Sequence, residues 1–350
     1  SAVRCILTDK QGFVWIGTKA GISRYDGHEL KKYVHSPNNP HSIPNNLIHQ
    51  IAEDEMSNIW ILTDKGIARY QRQSDDFFLP TDEKGNPIIA YSTCLTKDGV
   101  LFGSKDKVYF YSYRDSSLRL LQKLNKGNNF NISLLSLWNE HTVLCCSRWQ
   151  GLALLDLKTG KHRLPPFDCG KEIMNMLIDS QNRIWIAPYN EGIKCFTHNG
   201  ELVKAYTTHN SDLSNNVVLS LAEREGKIWI GTDGGGINIL EPETGRLSLL
   251  EHIPGGDNYS LPTSIFCLYN DRNNNMWAGS IRNGLINIRE VSMKTYTEVL
   301  TGSNRGLSNN TVLSLYQESN DRIWVGTDGG GINLFNPITE KFTHYSSTWE

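Results

Sequence analysis

Short runs of β-branched, aromatic and aliphatic residues recur along the chain, separated by clusters of Gly, Asn, Asp and Pro, and no helical stripe of apolar positions interrupts them. Runs bounded in this way predict strands joined by hairpins. The last part of the chain shows the plan. Thr311 to Tyr316 predicts a strand, and the polar turn Glu318-Ser319-Asn320-Asp321 leads to a second, Arg322 to Thr327. Asp328-Gly329-Gly330-Gly331 turns the chain into Ile332 to Phe335, and Asn336-Pro337-Ile338-Thr339-Glu340 leads into Lys341 to Tyr345.

That plan repeats. The second strands read Val14-Trp15-Ile16-Gly17-Thr18, Ile59-Trp60-Ile61-Leu62-Thr63, Ile184-Trp185-Ile186-Ala187-Pro188, Ile228-Trp229-Ile230-Gly231-Thr232, Met276-Trp277-Ala278-Gly279-Ser280 and Ile323-Trp324-Val325-Gly326-Thr327. In Val100-Leu101-Phe102-Gly103-Ser104 and Val143-Leu144-Cys145-Cys146-Ser147 a leucine replaces the tryptophan. The eight anchors are Trp15, Trp60, Leu101, Leu144, Trp185, Trp229, Trp277 and Trp324, spaced 41 to 48 residues apart. Four strands in such a unit is the size of one blade of a β-propeller. A lone four-stranded sheet cannot cover its own apolar faces, so blades stack in a ring, and each buried Trp contributes about 2–3 kcal/mol between blades. The expected fold is therefore all-β: a β-propeller of four-stranded antiparallel blades, with eight repeat units in a seven- or eight-bladed ring. Asp in the first hairpin (Asp9, Asp54, Asp98, Asp179) and Thr or Ser ending the second strand are expected to satisfy turn amides.

The unit D-x-x-G-x-(I/V)-W-I-G-T-x-x-G-(I/L)-x-x-(Y/F), seen most fully from Asp9 to Gly27, resembles the two-component regulator propeller repeat. Asn215-Asn216-Val217-Val218 and Asn309-Asn310-Thr311-Val312 are similar to that family's loop ahead of the first strand. The resemblance runs over the whole chain, with units three and four departing from it. It implies the extracytoplasmic sensor region of a hybrid two-component protein of gut Bacteroidetes, periplasmic and part of an inner-membrane protein. It further implies an oligosaccharide-type ligand, with homodimerisation and membrane attachment left to segments outside this stretch. No kinase, receiver or DNA-binding module is present in the 350 residues. The family's rings are usually seven-bladed and often paired; here one propeller over residues 1–350 is expected, with the count of seven or eight left open.

Composition narrows the function. Apolar residues are 39% and charged residues 21%, enough to bury a large core. A net charge of −2 gives no basic surface for nucleic acid. No window is apolar over the roughly 18 residues a membrane span needs. The chain opens at Ser1 without Met or a signal-peptide pattern and stops at Glu350, and so reads as a piece of something longer. Seven cysteines, an odd number without a C-x-x-C pair, predict neither a disulfide framework nor a metal knuckle.

In a propeller the loops between second and third strands share one face with the inter-blade loops, around the central channel. Most of these loops keep a turn glycine. The residues that vary most distinctively are Arg148 and Trp149, Tyr189 and Asn190, and Arg282 and Asn283, and these are the candidate ligand-binding residues. Aromatic faces stack on sugar C–H surfaces, and Arg and Asn reach hydroxyls or carboxylates. The competing reading of Trp149 is that it restores packing lost when Leu144 took the tryptophan's place. Gly234-Gly235-Gly236 and Gly329-Gly330-Gly331 precede strands rather than helices and are hairpin turns, not phosphate cradles. Asp271-Arg272-Asn273-Asn274-Asn275 lacks the Gly and Glu of a calcium loop. The histidines, mostly in inter-strand loops (His28, His35, His41, His198, His209, His252), form no metal motif, and there is no nucleophile elbow. The sequence thus predicts no cofactor, no metal and no catalysis in this domain. A protein-interaction scaffold, or less favoured a polysaccharide-active or quinone-dependent propeller enzyme, are the alternatives to a sensor.

Overall fold

The computed structural model describes residues 2–124, 130–165, 167, 169–170, 172–250, 261–288, 296–299, 304–319 and 321–346; His252 and Asn320, named above, lie outside them. All regular structure among these residues is β, in eight antiparallel sheets whose strands pair in sequence order. Seven sheets show four strands and one, in the seventh repeat, shows three among the described residues. The eight units counted in the sequence are therefore eight sheets. They do not make one body. The chain divides into two compact units, Ser1–Glu290 and Val291–Glu350, and seven of the sheets belong to the first.

In that first unit the first strands are Val3–Thr8, Ile48–Glu53, Ser92–Leu95, Ile132–Asn139, Ile173–Ile178, Val218–Arg224 and Ile265–Asn270. Each lies beside the first strand of the next blade, and the seventh returns to the first. Tyr269 Oη donates to the Thr8 carbonyl at 3.4 Å across this closure. The ring is seven-bladed.

Each anchor side chain plugs into the blade that follows. Trp15 is buried with Ile48, Ile59 and Ile61 of blade 2, and Trp60 with Val100, Phe102 and Tyr111 of blade 3. Trp185 packs on Val218 and Ile230 of blade 6, Trp229 on Ile265 and Ala278 of blade 7, and Trp277 on Val3 and Val14 of blade 1. Leu101 and Leu144 hold the same place against blades 4 and 5.

The indole N–H must find an acceptor when buried. Trp15, Trp60, Trp185 and Trp277 each donate to the Asp six residues earlier (Asp9, Asp54, Asp179, Asp271) at 2.8–3.0 Å. The other oxygen of each Asp accepts a turn amide, from Phe13, Asn58, Arg183 and Asn275, at 2.8–2.9 Å. One carboxylate thus fixes both the hairpin and the plug. Asp98 does not share this role: unit three has no indole, and Thr96 holds the turn through Gly99. At the far end of the second strand, the hydroxyls of Thr18, Thr63 and Thr232 donate to the carbonyls of Gly21, Gly66 and Gly236 at 2.7–3.0 Å.

The glycine of the W-I-G-T run has a steric reason. A Cβ on Gly17 would stand 2.8 Å from Ile48 Cγ2, on Gly103 2.6 Å from Ile132 Cγ2, and on Gly231 2.8 Å from Ile265 Cγ2. On Gly279 it would stand 2.6 Å from Val3 Cγ1. The glycine is the hole for the β-branched residue that opens the next blade, and at Gly279 that residue closes the ring.

The second unit carries the eighth sheet, Val312–Ser319, Arg322–Thr327, Gly331–Asn336 and Lys341–Tyr345. Leu307, Val325 and Phe342 form its small core. Its first strand is exposed throughout, with Leu313, Leu315 and Tyr316 each 67–69% accessible. A Cβ on Gly326 would meet only Ser314 of its own sheet.

Two outcomes are expected. Gly279→Ala overfills the closing joint and lowers stability by about 1–3 kcal/mol in urea unfolding. Combined with Val3→Ala it costs clearly less than the sum of the single changes, whereas additivity would mean that these two residues do not share a joint. The second concerns acid. Burial would raise the Asp271 carboxyl, but the Trp277 indole and the Asn275 amides hold it below the usual carboxylate range. A carboxyl lowered on folding stabilises fully above its unfolded pKa, about 3.9, and that stabilisation is lost as pH falls through the folded value. Asp271→Asn therefore melts lower than the parent at pH 7, and the gap narrows as the pH is taken down through that range; a gap that stays constant refutes the assignment.

Candidate functional site

The ring that orders the blades also aims a set of side chains at its centre. In six of the seven blades the first strand carries a one-residue register shift at its start. The extra residues are Arg4, His49, Ser133, Met174, Leu219 and Phe266, each directly after the β-branched residue at the joint (Val3, Ile48, Ile132, Ile173, Val218, Ile265). A bulge re-aims the inserted side chain, and all six line a central cavity of about 750 Å³. Blade 3 has no such shift and contributes Tyr91 and Ser92 instead.

The walls differ around the ring. On the side of blades 7, 1 and 2, the Arg4 guanidinium lies 5.1 Å over the Phe266 ring, and its Nε donates to the Ile48 carbonyl at 3.0 Å. His49 stands edge-on to Tyr91 at 5.2 Å and hydrogen-bonds Asp64 at 2.6 Å. The loops after the second strands of blades 3 and 4 add Lys105, Arg148 and Trp149. Arg148 lies 5.1 Å over the Trp149 ring and 3.8 Å from Glu172. Blades 5 and 6 present Met174 and Leu219, with Asn175 donating to the Leu219 carbonyl at 3.1 Å.

Of the six sequence candidates, Arg148 and Trp149 line this cavity and the other four do not. Tyr189 is exposed, and its N–H donates to the Glu172 carbonyl at 2.9 Å. Asn190 has φ 58°, the left-handed conformation Asn tolerates, so the turn itself explains its presence. The Asn283 N–H donates to Ser280 Oγ at 2.6 Å, and Arg282 sits in the same hairpin of blade 7.

Trp149 is 60% exposed, which excludes the packing role. Trp138, six residues ahead of Leu144, fills that role in the same core cluster. The bulge residues were missed by reading only the hairpin loops. Their signal is in the sequence: a β-branched residue eleven or twelve positions before the anchor, followed at once by a side chain of unconstrained type.

The cavity also holds two thiols. Cys5 and Cys267 form part of its wall, and burial pushes the Cys5 thiol up to about 12 and Cys267 higher still, so both stay protonated. Among the described residues the seven cysteines form no disulfide. Among the described residues no three His, Cys, Asp or Glu side chains are grouped to hold a metal, and no helix is long and apolar enough to cross a membrane.

Residues 1–20, 212–234, 260–282 and 306–329 match the two component regulator propeller family. Four of the eight units thus match that repeat. The matches fall on units one, six, seven and eight, which keep the tryptophan. Two extracellular domains of putative hybrid two component systems from B. thetaiotaomicron share the fold, at 22% and 21% identity with TM-scores of 0.65 and 0.66. They align with 98% and 99% of this chain but 47% and 52% of their own, so the chain spans about half their length. A streptogramin B lyase aligns with 81% of the chain at 15% identity and a TM-score of 0.59, over 92% of its own length. Among curated proteins none matches the sequence.

Units three and four depart from the repeat with a physical consequence. Leu101 leaves space where an indole would stand, and a second cleft of about 1000 Å³ opens there, lined by Leu101, Phe110, Leu121, Leu137 and Trp138. Its lining carries four cations, Lys97, Arg114, Arg119 and Lys158, against two carboxylates, Asp98 and Glu140, and Lys97 is paired to Glu140.

The two kinds of tryptophan should separate in unfolding experiments. Trp229→Ala is expected to cost about 3–5 kcal/mol, as core truncations do. Trp149→Ala should change stability by less than about 0.5 kcal/mol. Equal losses would show that Trp149 is part of a core.

Proposed function

We propose that this regulator propeller is the ligand-binding sensor region of a hybrid two-component signalling protein, facing the periplasm, and that its ligand is an oligosaccharide seated at the mouth of the central channel. The family match supports the sensor role. The observation that carries the ligand reading is Trp149, an exposed indole outside every core cluster, standing at the channel with Arg148 and Lys105 beside it. An apolar ring face with directed donors around it is the arrangement a sugar uses, C–H surface on the ring and oxygens toward the cations. The blades interlock at every joint, so the ring is stiff, and a signal would leave it as movement of whole bodies rather than as distortion within a blade.

A second reading draws on the same surface. Trp149 and Tyr189 are both exposed, near Arg148, and aromatic residues with Arg are the composition of a protein-interface hot spot. A polysaccharide-active enzyme has less support, because the paired carboxylates such enzymes use are not found in the cavity lining among the described residues.

A thermal-shift screen with plant and host oligosaccharides tests the proposal. A binder at a hundredfold excess over its Kd adds about 2.7 kcal/mol to the native state. The parent and Arg282→Ala should both show the rise, and Trp149→Ala should lose most of it. Turnover of a sugar would favour the enzyme, and a protein pull-down without any sugar response would favour the scaffold.

A further inference from the structure

Resting on that reading, we infer that the ligand is anionic: an oligosaccharide bearing carboxylate or sulfate groups, held by Arg4, Lys105 and Arg148. The chain as a whole is slightly acidic, at −2, yet these three cations line the cavity and among the described residues no Asp or Glu does. The carboxylates bordering it are committed elsewhere, Asp64 to His49 and Asp106 to Lys123 at 3.5 Å, and only Glu172 approaches a cavity cation, Arg148, at 3.8 Å.

Arg4 is the decisive residue. It is half-buried, and its Nε is tied to the Ile48 carbonyl while its plane rests on Phe266. Both Nη groups are without a partner among the described residues, as is the Lys105 ammonium. A guanidinium held in one orientation with its outer edge unpaired is preorganised for a bidentate acceptor. Hydroxyls of a neutral sugar would leave Arg4 and Lys105 without a counter-charge in a concave wall, whereas an acidic group supplies one and gains from the focused field. Met174 and Leu219 across the cavity suit the uncharged face of the same saccharide.

Calorimetric titration of the whole chain at low and high salt decides the matter with four probes: a galacturonate oligosaccharide, a sulfated chondroitin disaccharide, a neutral xylo-oligosaccharide, and citrate as an anion that is not a sugar. The expected result is binding of the first or the second, weakened at high salt and weakened about tenfold by Lys105→Met and again by Arg148→Gln. Which of the two binds assigns carboxylate or sulfate. Equal or tighter binding of the neutral sugar overturns the anionic inference and leaves the glycan reading standing. Citrate matching the acidic sugars keeps the anion and removes the glycan. No binding by any probe overturns both. Both substitutions fall on exposed side chains, and unchanged unfolding curves separate lost affinity from lost fold.

Discussion

The structure depends on a directional joint repeated around a circle. From each blade of the ring an indole or leucine on the second strand enters the next blade, and in four of them the glycine two residues further on, Gly17, Gly103, Gly231 or Gly279, receives the β-branched residue that opens it. Neither part works alone. The plug without the hole would hold the sheets too far apart at their inner edge, and the hole without the plug would leave the outer part of the interface unfilled. A joint that always points the same way can end only by meeting its own beginning, and Trp277 and Gly279 do so at Val3.

The eighth sheet shows what the joint contributes. It has the same motif and hairpins, and its Trp324 also finds an acid six residues earlier, Glu318, at 2.8 Å. Yet the leucines and the tyrosine of its first strand are exposed, and among the described residues a Cβ on Gly326 would meet Ser314 of its own sheet alone. Local sequence makes the blade, whereas burial needs a joint on each face. This is why the count of units was readable from spacing while the count of blades in the ring was not. Eight anchors say nothing about where the circle closes, because Val3, Ile48 and Val312 open their blades alike.

Legibility varied for the same reason elsewhere. The Asp–Trp pairing was readable as turn chemistry because it is local, six residues apart; its second role, as acceptor for a buried indole, needed the fold. Asp98 was grouped with the others by its place in a hairpin, and failed because no indole lies at Leu101 for it to serve. Trp149 could be read as packing or as contact until its neighbour Trp138 was seen to occupy the core. Arg148 and Trp149 were accessible from the hairpin loops, but Arg4, His49 and Phe266 were not, since a bulge leaves no composition of its own. It appears only as a shift in register against the partner strand.

The bulge is where stability and recognition part company. Val3 must be β-branched and of the right size because Gly279 leaves a fixed hole, and Cys5 must be small because it packs behind Gly17. Arg4, inserted between them, meets neither demand, since the extra residue leaves the ladder and turns to the channel. The same geometry at Ile48, Ile132, Ile173, Val218 and Ile265 places six such positions around one opening. A ring of this kind can therefore exchange arginine for leucine or phenylalanine at its centre without repacking a blade. That Arg4 and His49 stand on one side and Met174 and Leu219 on the other is then not dictated by the joints of the fold that holds them.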